Sequence, residues 1–157
     1  MALMELAVDF GSSYITIYKR GEGIVLKEAS VVVVSTHKKK REVVESGNAA
    51  KNYVRTTMGN AREIYPVREG VVVSVEDASL MMSEFIKRLL PEKIFKPQIR
   101  AVVMISSGLT VVERRDVETV MLNAGVKDVI LVESPLALLA YTCLLYTSPS
   151  PRDISGS

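Results

Sequence analysis

Three turns hold the residues best suited to chemistry. The first is Asp9-Phe10-Gly11-Ser12-Ser13. Gly11 lets the backbone approach an anion, and the turn amides with the Ser12 and Ser13 hydroxyls can bond phosphate oxygens. Asp9, at the end of an apolar run, can hold magnesium through water. The same residues also make an ordinary hairpin turn, and alone they do not separate the two readings. The second turn, Ser106-Ser107-Gly108-Leu109-Thr110, links a strand to a helix at the edge where open sheets bind ligands; a plain loop with Thr110 as helix cap is the other reading. At the third, Glu133-Ser134-Pro135, Ser134 can cap a helix while Glu133 faces a cleft. His37 is the single histidine, and nothing near it makes it a ligand or a base. No grouping of His, Cys and carboxylates suggests a metal centre or a nucleophilic triad.

The elements that must position these turns follow from periodicity. Leu3 to Val8 is an apolar run, and Tyr14 to Lys19 alternates with β-branched residues, as a half-buried strand does. After a turn at Gly21-Glu22-Gly23, Ile24 to Leu26 and Ser30 to Ser35 read as further strands, so the chain is expected to open as an antiparallel meander. A short helix is expected around Gly47 to Arg55. Ser74 can cap the next helix, with Glu76 and Asp77 in its first turn, where negative charge suits the helix dipole. Ala78, Met81, Met82, Phe85, Ile86 and Leu89 recur at helical spacing up to Pro91, and the methionines read as core filler. Ala101 to Ile105 is a fully apolar strand. Thr110 and Glu113 form a capping box for a helix ending before Gly125. Val129 to Val132 is another buried strand, and Ser134-Pro135 opens a last helix. A strand, helix and strand of these lengths imply parallel pairing. The expected fold class is α/β, a mixed sheet flanked by helices.

Composition bounds the function classes. The chain has 157 residues, 48% hydrophobic and 24% charged, with a formal net charge of +2, as a globular domain with a real core would have. Lys38-Lys39-Lys40-Arg41 is the one basic run; no aromatics interleave with it to stack bases, so it reads as a solvated hairpin tip and no nucleic-acid partner is expected. No apolar stretch approaches the roughly 20 residues of a spanning helix. The N-terminus lacks the pattern of a secretory signal, and Cys143 is the only cysteine. A cytoplasmic setting is expected. After Tyr141 the composition shifts to a Pro- and Ser-rich run that resembles a translated adaptor sequence; residues 142–157 are expected to be a non-native or disordered tail.

Three segments, in order and with matching spacing, resemble the MreB family of rod-shape-determining bacterial actins. They are Ala7 to Val32, similar to the family's first phosphate loop and the Gly-x-Gly-Ile-Val-Leu run after it; Arg68-Glu69-Gly70-Val71-Val72; and Ser107 to Arg115 with Asn123 to Val126 and Glu133-Ser134-Pro135. The resemblance covers nearly all of residues 5–141. It implies the actin-like ATPase, or ribonuclease-H-like, fold over residues 1–141, with a small lobe inserted at about 35–75. It implies Asp9 as the magnesium-water carboxylate and Gly11, Ser12, Ser13 and Tyr14 as the first phosphate loop, with ATP and magnesium as cofactors. It further implies self-association into filaments that guide the cell-wall elongation machinery, and leaves open a peripheral contact with the inner membrane. The position of the family's water-orienting Glu is Ser134 here, with Glu133 one residue away. A serine cannot act as a carboxylate base, which puts hydrolysis in doubt. Tyr14 stands where the family has Asn, and Ser106 where proline is usual. The family's second phosphate loop and adenosine pocket would lie beyond residue 141, so this chain is expected to be an N-terminal half that probes phosphate from one side. A chaperone ATPase or sugar kinase of the same fold, and a non-catalytic adaptor, are the alternatives.

Overall fold

The computed structural model describes residues 2–53, 60–92 and 94–140. Its centre is a five-stranded mixed sheet in the order β10-β9-β1-β2-β3. Here β1 is Leu3–Phe10, β2 Tyr14–Lys19, β3 Gly23–Ala29, β9 Gln98–Met104 and β10 Asp128–Val132. The expected meander accounts for β1 to β3, which pair antiparallel in sequence order. The two later strands pair parallel, β9 to β1 and β10 to β9. Their connections run through α2 (Val75–Lys87) and α3 (Val111–Asn123).

Alternation along the strands builds the core. Met4, Leu6, Val8 and Phe10 of β1, Ile15 and Ile17 of β2, and Ile99, Ala101 and Val103 of β9 belong to one buried cluster with Met81, Met82 and Phe85 of α2 and Val117, Val120 and Met121 of α3. Burial of each large side chain contributes roughly 1.5–3 kcal/mol. The methionines are therefore core, as their spacing predicts. Caps end the helices where the sequence places them. The Ser74 hydroxyl accepts from the Asp77 amide at 3.2 Å, Thr110 and Glu113 form the reciprocal capping box, and Gly125 takes φ 99° beyond α3.

The run expected to continue the meander goes elsewhere. Strand β4 (Val32–His37) pairs with β5 (Lys40–Ser46) and β6 (Ala61–Ile64) in a separate three-stranded sheet, order β5-β4-β6. The reason lies in its two apolar faces: Val32 and Val34 join the main core, while Val31 and Val33 pack in a second cluster with Ala29 and Ala50. A strand buried on both sides cannot serve as the half-wet edge of a meander. The helix expected over Gly47 to Arg55 is shorter: α1 is Asn48–Lys51, and residues 54–59 lie outside the described set. The basic run divides. Lys38 and Lys39 form the β4–β5 tip with positive φ, whereas Arg41 is not left to solvent but pairs with Glu76 at 3.1 Å and with Asp77. Two short strands, β7 (Val67–Arg68) and β8 (Val71–Val72), then lead back to α2. The expected tail at 142–157 lies outside the described residues.

Candidate functional site

Strand register brings the three turns to one edge. Asp9 lies opposite Met104, and Met104 lies opposite Val132. The carboxyl ends of β1, β9 and β10 are therefore level, about 4.8 Å apart from strand to strand. The loops leaving them are the Asp9–Ser13 bend, the Ser106–Thr110 turn and the Glu133–Pro135 turn. The Ile105 amide donates to the Val132 carbonyl at 2.8 Å, joining the second to the third.

A fourth segment, absent from the sequence-level list of site turns, locks the first to the second. Glu69 (φ 53°) and Gly70 (φ 81°) are the two central residues of the β7–β8 hairpin, where positive φ at both positions is required. The Gly70 amide donates to the Ser12 hydroxyl oxygen at 2.8 Å. A Cβ on Gly70 would come 2.0 Å from the Ser106 hydroxyl oxygen, so the hairpin can wedge between the two loops only as glycine. The signal was available: Val67-Arg68, Glu69-Gly70, Val71-Val72 is a two-residue hairpin pattern.

Gly11 is required for space. A Cβ there would lie 2.7 Å from the Tyr14 carbonyl oxygen, across the three-residue loop that joins β1 to β2. The Ser13 carbonyl accepts from the Ser30 amide at 2.9 Å, tying the loop to the residue just beyond β3. The bend is thus held from two sides, by Gly70 and by Ser30. Asp9 sits on the central strand, and burial pushes its carboxyl above the ordinary range.

The third edge is held by a cap and an ion pair. The Ser134 hydroxyl accepts from the Leu136 and Ala137 amides at 3.1 and 3.4 Å, so it caps the helical residues 135–140 as the sequence predicts. Glu133 is ion-paired with Arg114 of α3, a partner the sequence did not indicate. Among the described residues no cluster of three or more His, Cys, Asp or Glu side chains could hold a metal by itself. His37 is exposed at the end of β4.

A mixed sheet with two parallel crossovers and ligand-sized loops at one carboxyl edge, crowned by a separate small sheet, defines an actin-like α/β protein. Comparison narrows the class. The MreB/Mbl protein family matches residues 3–140, and the chain belongs to that family. It is 33% identical over 135 residues to the cell shape-determining protein MreB of Escherichia coli K12, and 32% identical over 136 residues to the cell shape-determining protein Mbl of Bacillus subtilis 168. Those matches cover 85% and 86% of this chain but 39% and 40% of the relatives, so the chain spans about two fifths of their length. Among solved structures, MreB5 of Spiroplasma citri bound to AMPPNP superposes with a TM-score of 0.68 at 26% identity, over 85% of this chain and 39% of that one. Family membership sets aside the chaperone and sugar-kinase alternatives.

Proposed function

We propose that residues 1–141 are the phosphate-gripping half of a nucleotide-dependent filament subunit that serves cell-shape determination. The observation that carries this reading is the level edge of Asp9, Met104 and Val132, with Gly70 wedged between the Ser12 and Ser106 loops. Such an edge offers amides and hydroxyls to a polyphosphate from one side. The relative bound to AMPPNP supports a nucleotide as ligand. The residues fit one: glycine at position 11 lets the bend close on the Tyr14 carbonyl, and the Ser12 and Ser13 hydroxyls complete it.

Magnesium fits the same edge in a limited way. Asp9 alone would hold it through water, with the remaining positions supplied by phosphate and solvent, which suits a cation that keeps most of its hydration. The bound cation would neutralise charge on the phosphates. Asp9 would orient its water, the Ser12 and Ser13 hydroxyls would hold phosphate oxygens, and Gly11 would admit the ligand to the backbone amides.

Hydrolysis is slow in this reading. Ser134 is committed to capping and Glu133 to Arg114, so neither supplies a free base at the third edge. The small sheet, most of which falls in the lobe at about 35–75, serves contacts between subunits. ATP binding of useful affinity needs the opposing half found in the relatives, because affinity requires convergent contacts. Filaments would act with the cell-wall elongation machinery at the cytoplasmic face of the membrane. Ile94 and Phe95, 94% and 89% exposed in the α2–β9 connection, support a peripheral membrane contact.

The test is sedimentation of the full-length protein with and without magnesium-ATP. Assembly that depends on ATP is expected, and Gly11→Ala should abolish the ATP-dependent part while circular dichroism stays native. Pelleting that ignores ATP would leave the adaptor reading in its place.

A further inference from the structure

The two outer strands of the main sheet are protected unequally. At one edge β3 carries Lys27 and Glu28 and meets β2 through a register shift at Ile17–Tyr18. Charges and bulges of this kind keep an edge from pairing with another chain. At the other edge β10 reads Asp128-Val129-Ile130-Leu131-Val132, pairs with β9 in unbroken register and has no charge after its first residue. Among the described residues no strand pairs with its outer side, and Ile130 is 47% exposed. The Lys127 amide donates inward to the Ile99 carbonyl at 2.8 Å, so alternation along the strand turns the amide and carbonyl of Ile130 outward.

The strand is also complementary to itself. Turned antiparallel about Ile130, a second copy sets Ile130 against its own counterpart, Val129 against Leu131, and Lys127 against Glu133. Apolar pairs then fall at the centre and opposite charges at both ends. Lys127 is exposed, and among the described residues it has no carboxylate in ion-pair contact. Arg114 takes the Oε1 atom of Glu133, so Oε2 can accept a second cation. A cavity of about 400 Å³ lined by Val111, Arg114, Arg115, Glu118, Val129 and Leu131 runs between α3 and this edge, and Val129 and Leu131 are only partly buried beside it.

We propose that β10 is a pairing surface for a second copy of this chain, joined antiparallel across a two-fold axis at Ile130, which merges the two main sheets into one. The backbone groups of the two Ile130 residues would exchange hydrogen bonds, and the apolar pairs would close the open edge. The Lys127–Glu133 pairs would fix the register, since a slip by one residue sends every side chain to the other face. The contact needs no nucleotide, so it is tested separately from the proposed function.

The test is sedimentation equilibrium of the 157-residue chain without nucleotide, where a monomer–dimer equilibrium is expected. Ile130→Lys, which sets two like charges face to face across the axis, should leave only monomer, with a native circular dichroism spectrum to show that it is folded. Lys127→Glu and Glu133→Lys should each weaken the dimer about tenfold, because each turns two attractive pairs into repulsive ones. An equimolar mixture of those two variants should recover the dimer, since opposite charges then meet only between unlike copies. That recovery decides the matter even if Ile130→Lys fails to fold. A monomer at every concentration, a dimer that survives Ile130→Lys, or a mixture no tighter than its components overturns the proposal.

Discussion

Asp9 carries the sharpest conflict between stability and chemistry at the residue scale. Its backbone is bracketed by Thr16 on β2 and Met104 on β9, and burial raises its pKa above the ordinary 3.8. The folded state therefore holds the proton more tightly than the unfolded chain does. Stability linked to Asp9 is fully present below pH 3.8 and is lost as pH rises through the raised folded value. At neutral pH the ionised carboxylate is a cost, which a cation would offset. Asp9→Asn is expected to raise the melting temperature at pH 7, with the gain vanishing in acid, while magnesium-dependent nucleotide binding is lost. Thermal melts at two pH values check this. Ser134 sets a second residue-scale prediction. Ser134→Glu in the full-length protein should raise phosphate release by about 10²-fold if a water-orienting carboxylate is what is missing. Loss of the cap should cost about 1 kcal/mol, measured by thermal melting.

Elements are held together at two polar joints. At one, Arg41 of β5 reaches Glu76 and the nearly buried Asp77 at the start of α2. The Asp77 Oδ1 atom lies in ion-pair contact with Arg41 but has no aligned hydrogen bond, so charge attraction alone compensates it there. Arg41→Ala should therefore cost about 1–3 kcal/mol, between the values of exposed and buried pairs, in urea unfolding. A loss of under about 0.5 kcal/mol would mean that solvent already screens the pair. At the other joint, Arg88 beyond α2 donates to Glu28 of β3 at 2.8 Å and to the Ser46 hydroxyl at 2.6 Å. Glu28 also accepts from the Asn48 amide at 2.7 Å. These contacts fasten the three-stranded sheet to the main one.

On the scale of the whole molecule, the described residues contain no helix long and apolar enough to cross a membrane. Surface attachment needs an exposed apolar group, and among the described residues Ile94 with Phe95 is the most exposed pair of large apolar side chains. Replacing both with serine should weaken binding of the full-length protein to anionic vesicles about 10²-fold or more, since burial of each is worth roughly 1.5–3 kcal/mol. Vesicle co-sedimentation measures it, and undiminished binding would remove this loop from the proposed membrane contact.

What the sequence determined by itself was local or additive. Alternation marked β1, β2 and β9; helical spacing marked α2; hydroxyls followed by acids marked the caps at Ser74 and Thr110. The motif order from Ala7 to Pro135 was enough to indicate the family. Tertiary structure decided what depends on distant partners. Ser30 to Ser35 read as one more strand of the meander, yet its two apolar faces sent β4 to another sheet. Gly70 read as part of a motif, and only contact with Ser12 and Ser106 made it the wedge of the site. Glu133 read as a cleft residue, and only the fold brought Arg114, nineteen positions earlier, into contact with its carboxylate. Periodicity records which face of an element is apolar, but which neighbour meets that face, or pairs a given charge, is set by chain closure over tens of residues.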